Sequence, residues 1–77
     1  MMTEQFWESH RAEGQAKLDA AGLQHVKLVI GHFRHGDQFR FEARLQGGSP
    51  TDRLKAGRLL PFTDSYLEEL EAAAAGE

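Results

Sequence analysis

The chain has 77 residues, no cysteine and a formal net charge of −3, which bounds it to a single domain over residues 1–77 and excludes disulfides and thiolate zinc sites. A chain this short buries only about 60 % of the surface its unfolded form exposes, so helix packing, self-association or a partner must supplement a small core. No apolar run approaches the ~20 residues of a membrane span. The start "MMTEQFWESH" lacks a basic stretch followed by an apolar core, so no membrane partner and no signal peptide are expected, and the expected compartment is the cytoplasm.

The first element predicted is a helix over about 3–21. Thr3 suits its cap and Glu4 its positive end. Trp7, Gly14, Leu18 and Ala21 fall on one stripe of the wheel, with His10 and Arg11 at its margins. The stop signal is Gly22 followed by Leu23, the spacing of a Schellman motif in which Leu23 folds back on Leu18.

Strands follow over about 24–34 and 38–46. The first alternates Val26, Leu28 and Ile30 against His25, Lys27 and Val29. The second alternates Phe39, Phe41, Ala43 and Leu45 against Gln38, Arg40, Glu42 and Arg44. Such alternation implies one buried and one wet face. His35-Gly36 suits a two-residue turn. With Arg34 opposite Asp37, Ile30 meets Phe41, Leu28 meets Ala43 and Val26 meets Leu45. A shift by two residues preserves the faces, and a four-residue loop is the main rival. Val29 and Phe33 then lie on the nominally outer face, so either a bulge at Gly31 turns Phe33 inward or something covers it.

Gly47-Gly48 breaks the chain. Ser49, Pro50 and Asp52 read as N-cap, first helical position and first-turn acid of a short helix over about 50–56, ended by Gly57. A third strand kinked at Gly57 is the alternative. The last helix spans about 64–75, capped by Thr63, with Phe62 placed to staple onto Leu67. Its apolar stripe is Tyr66, Leu67, Leu70, Ala73 and Ala74. The expected class is α+β, a small single domain in the order α-β-β-(short α)-α, with one face of an antiparallel hairpin packed by two helices.

Charge is unevenly spread. Residues 1–24 carry a net of −2, residues 25–60 a net of +4 and residues 61–77 a net of −5. A basic middle and an acidic end bear on partners rather than on fold.

The stretch "GHFRHGDQFRFEAR" (31–44) invites three readings. His32, His35 and Asp37 are acceptable metal ligands, but residues 32 and 35 differ by an odd number and point to opposite faces of a strand. No metal site and no cofactor are assigned. Lys27, Arg34, Arg40 and Arg44, with Phe33 nearby, would suit a single nucleic-acid strand, charge for phosphates and rings for bases. Glu42 interrupts that face, and the chain as a whole is acidic. No catalytic residues are assigned either, because Ser9 and His10 diverge by about 100° on a helix and no motif links nucleophile, base and orienting group.

Protein binding has positive support. Phe6 and Trp7 are adjacent on a helix and cannot both face one core, and aromatics are favoured interface anchors. The first strand presents an edge that another strand could extend, a homodimer included. Glu68, Glu69 and Glu71 fan over the last helix. The expected function is a non-enzymatic small interaction protein that binds, and inhibits or bridges, a macromolecular partner. Phe6, Trp7, Phe33, Glu68, Glu69 and Glu71 are its candidate contacts. The alternative is a small nucleic-acid-binding module on the basic face of the hairpin. Compact acidic chains of this kind are common among phage-encoded inhibitors (anti-CRISPR proteins included), immunity proteins and antitoxins, a likeness of type that assigns no residue.

Overall fold

The chain runs through α1 (Glu4–Ala20), β1 (Lys27–His35), β2 (Gln38–Gln46), α2 (Pro50–Leu59) and α3 (Asp64–Ala75) in a computed structural model that describes residues 4–77. The class and the order α-β-β-α-α match the expected architecture, three helices around a two-stranded antiparallel hairpin. The proposed Thr3 cap lies outside the described residues.

α1 ends as its glycine requires. Gly22 takes φ +79°, Leu23 N–H donates to the Leu18 carbonyl at 2.8 Å, and Gly22 N–H donates to Asp19 at 3.2 Å. These are the two bonds of a Schellman cap, and they bring Leu23 onto Leu18 in the core. Ala21 is exposed and leaves the expected stripe. Gly14 takes a central place instead, since a Cβ there would stand 2.5 Å from Leu28 Cδ2. α1 therefore crosses the hairpin at glycine contact distance.

The strand register differs from the one first expected. Leu28 opposes Leu45, Ile30 opposes Ala43, His32 opposes Phe41 and Arg34 opposes Phe39. The two-residue turn is Gly36-Asp37, not His35-Gly36. Gly36 holds φ +66° at the first central position, the place where a type II′ turn demands it. This is the shift by two residues that keeps every apolar side chain on its face. Arg34 consequently does not meet Asp37, and its Nε donates to the Gly36 carbonyl at 2.7 Å. Val26 drops out of the strand into a turn, its N–H donating to Leu23 at 3.0 Å, and is fully buried there. No bulge forms at Gly31, which pairs regularly with Glu42, so Phe33 stays on the outer face.

Ser49 caps α2 with a full capping box. Its hydroxyl accepts from Asp52 N–H at 3.1 Å, and Asp52 accepts from Ser49 N–H at 3.4 Å, with Pro50 in the first turn. The helix continues through Gly57 to Leu59, so the kinked strand does not form. Gly57 serves close packing instead of termination, because a Cβ on it would lie 2.5 Å from Leu70 Cδ1. Thr63 caps α3 by accepting from Tyr66 N–H at 3.3 Å, and the Phe62 ring lies 4.7 Å from that of Tyr66.

The core is Leu18, Leu23, Val26, Leu28, Leu45, Ala56, Leu60 and Leu70, with Leu54, Phe62, Tyr66 and Leu67 packed around it. Two side chains close the hairpin edges beside this core. Gln15 accepts from Leu28 N–H at 2.9 Å and donates to the Val26 carbonyl at 3.0 Å. Tyr66 Oη accepts from Leu45 N–H at 3.0 Å. Tyr66→Phe leaves that N–H unpaired in a largely dry site. It is expected to cost about 1–3 kcal/mol in urea unfolding, and an unchanged midpoint would show that water replaces the hydroxyl.

His25 Nε2 hydrogen-bonds Asp52 at 2.8 Å, tying the start of β1 to the α2 cap. This bond, joined by the Ser49 N–H, holds the Asp52 carboxyl below its ordinary range. The unfolded chain therefore binds the proton more tightly. The contribution to stability is present above the ordinary carboxylate value near ~4 and is lost as pH falls through the lower folded value. Asp52→Asn is expected to flatten this acid limb. In melts from about pH 6 to about pH 2 the advantage of the unsubstituted chain should shrink steadily, and a constant gap would refute the linkage.

Candidate functional site

The inner face of the hairpin divides along its length. Leu28 and Leu45, at the base, are core. Further out, Phe41 is 44 % exposed and Phe39 is 69 % exposed, although their alternation predicts burial. The reason is reach. Nine-residue strands extend about 30 Å at roughly 3.3 Å per residue, and the helices pack over only the basal half. Past Ala43 the cover among the described residues is the first part of α1.

That cover is aromatic. The Trp7 ring meets Phe41 edge-on at 5.1 Å, and His32 meets the same phenylalanine at 5.1 Å from the facing strand. Phe6 lies edge-on to Trp7 at 5.1 Å and to His10 at 4.6 Å. Trp7 is half-buried and Phe6 is exposed, so the two adjacent residues share one ring cluster. An apolar cleft of about 370 Å³ opens on one side of Trp7, floored by Leu28, Ile30 and Ala43 and closed by Leu60 and Phe62. A second cleft lies between the first turns of α1 and β1, bounded by Glu4, Glu8, Ile30 and His32.

Three of the four basic candidates share a face. Lys27, Arg40 and Arg44 lie on the outer face, whereas Arg34 lies on the inner face beside Phe39. Arg44 is engaged. Its guanidinium stands 5.4 Å above the Phe33 ring and 5.9 Å from the Tyr66 ring, and it donates to Glu42 at 3.0 Å. His35 hydrogen-bonds the same carboxylate, and that bond first, with Arg44 second, holds the Glu42 carboxyl below its ordinary range. Phe33 is therefore half-buried under Arg44.

The remaining candidates sit apart from this cluster. Glu68, Glu69 and Glu71 are exposed on α3, with Glu71 3.8 Å from Arg58. His32 and His35 occupy opposite faces, one against Phe41 and the other against Glu42. Among the described residues no three histidine or carboxylate side chains converge as a metal site would require. No described helix is long and apolar enough to cross a membrane.

The sequence singles out Phe6 and Trp7, which join this ring cluster, but its alternation assigns Phe39 and Phe41 to the core. A signal was present. The apolar alternation of β2 continues to the turn, while α1 offers only two large apolar residues before Gly14 to cover it. Comparison with known protein families, curated proteins and solved structures gives no match to this chain.

Proposed function

We propose that this chain is a non-enzymatic interaction protein that holds a protein partner against the aromatic face of Phe39, Phe41, Trp7 and Phe6, and acts by occluding or bridging that partner. One observation carries the reading. The face of β2 that forms the core at Leu45 continues outward as two phenylalanines that are 44 % and 69 % exposed. Exposed clustered aromatics cost solubility, and they are the side chains that most often dominate binding energy once desolvated. Arg34 beside Phe39 and Glu4 near Trp7 give the patch a charged rim, the usual surround of an apolar interface centre. Glu68 and Glu69 are a separate electrostatic element that would favour a basic partner.

The nucleic-acid reading draws less support. Arg34 is on the opposite face from Lys27 and Arg40, and Arg44 is neutralised by Glu42.

The test is capture by the tagged full chain from lysate of its natural setting, with and without nuclease, beside baits carrying Phe39→Ser or Glu68→Lys with Glu69→Lys. A partner that survives nuclease and is lost with Phe39→Ser supports the aromatic face. Loss only with the glutamate reversals would move the site to α3. Loss on nuclease treatment alone would favour a nucleic-acid module.

A further inference from the structure

We infer that the outer half of the β1 edge pairs with β1 of a second copy about a two-fold axis through His32, giving a four-stranded antiparallel sheet. The argument begins with which backbone groups point outward. His35 and Gln38 flank a two-residue turn, so they and every second pair after them exchange the hydrogen bonds of the hairpin. The groups of Leu28, Ile30, His32 and Arg34 therefore face the free edge. Gln15 closes that edge at Leu28. Among the described residues nothing closes it at Ile30, His32 or Arg34, although a two-stranded sheet is marginal and an open edge is a ready template.

Symmetry then selects the register. Two identical strands related by a two-fold axis can satisfy all three residues only if His32 faces its own copy and Ile30 faces Arg34 of the mate. That pairing makes six hydrogen bonds. A shift toward the turn leaves Ile30 unpaired and makes four, and a shift the other way runs into the Gln15-bound Leu28.

Side chains agree with this register on both faces. On the outer face Gly31 comes opposite Phe33 of the mate. A Cβ on Gly31 would meet nothing within 4 Å, so no side chain obstructs the register there, while the Phe33 ring keeps its place under Arg44. On the inner face Arg34 arrives beside Ile30 of the mate, at the cleft bounded by Glu4 and Glu8. Glu8 is already bonded to Arg11 at 2.9 Å, whereas Glu4 makes no ion pair among the described residues. The charges are complementary, and the contact occurs twice, as an isologous interface requires. Both aromatic faces would then lie on one side of a single sheet, so the inference extends the proposed function to a bivalent surface without depending on it.

Sedimentation equilibrium of the full chain across the micromolar to millimolar range is expected to approach twice the 8.6 kDa chain mass. The chain has no cysteine, so single-cysteine variants report cleanly. His32→Cys should form a disulfide-linked dimer under mild oxidation. Phe41→Cys, at a position that is also exposed but three strand spacings of ~4.8 Å from its mate, should not. Arg34→Glu should raise the dimer dissociation constant about tenfold, equivalent to about 1.4 kcal/mol, with circular dichroism verifying the fold. A single-chain mass at millimolar concentration overturns the inference. So does linkage through Phe41→Cys as efficient as through His32→Cys. Neither outcome bears on capture through Phe39, which is read from the bait series.

Discussion

Leu18→Ala is expected to lower the unfolding free energy by about 2–5 kcal/mol, the largest single-residue effect on stability in this chain. Leu18 is fully buried and packs at the joint of α1, the Schellman cap and the β1 entry. Truncation removes its transfer free energy and leaves a cavity that the clustered core residues, Leu23 and Val26 among them, refill only in part. Domain stabilities are about 5–15 kcal/mol and a short chain sits low in that range. The variant should consequently be close to unfolded at physiological temperature. Urea titration checks this: the midpoint should fall with the slope unchanged. A loss under about 1 kcal/mol would mean that the cap region repacks and that the small core is more plastic than its burial implies.

Phe39→Ser is expected to do the opposite. Its ring is 69 % exposed and has no ring partner among the described contacts, so stability should change by no more than about 0.5 kcal/mol. Partner binding should weaken by about 2 kcal/mol or more, roughly thirtyfold, as expected for an aromatic anchor. Phe41→Ser is not an equivalent probe. Phe41 contacts both Trp7 and His32, so its loss would lower stability and binding together. The separation of the two effects at Phe39 is the decisive result. A substantial drop in melting temperature with binding intact would show that Phe39 is structural and that the aromatic face is not the contact surface.

The two faces of the hairpin show where sequence reading worked and where it stopped. The alternation in β2 correctly sorted Phe39, Phe41, Ala43 and Leu45 onto one side, because pleat geometry is local and has period two. Whether that side is covered is a separate matter. It depends on how far three helices reach along a strand pair, and nothing within β2 encodes it. The same division applies to the basic residues. Arg40 and Arg44 share a face by alternation, but the stacking of Arg44 on Phe33 and Tyr66 depends on where α3 comes to rest. Arg34 was misplaced for a smaller reason. One glycine, Gly36, can serve as either central residue of a two-residue turn, and the choice of neighbour moves the register by two.

The end signals of the helices were settled by the chain itself. Gly22-Leu23, Ser49-Pro50-Thr51-Asp52 and Thr63 each satisfy backbone groups within a few residues, so their chemistry acts before any tertiary contact exists. Gly57 marks the limit of that logic. As a local signal it reads as a helix stop, yet α2 runs through it because Leu67 and Leu70 need the space a side chain would occupy. The sequence alone determined the order of elements, the caps and the sidedness of the strands, all consequences of short-range geometry. Tertiary structure decided which part of the apolar face is core and which is open surface, because burial depends on how far packed helices extend along a strand pair rather than on the pattern within one strand.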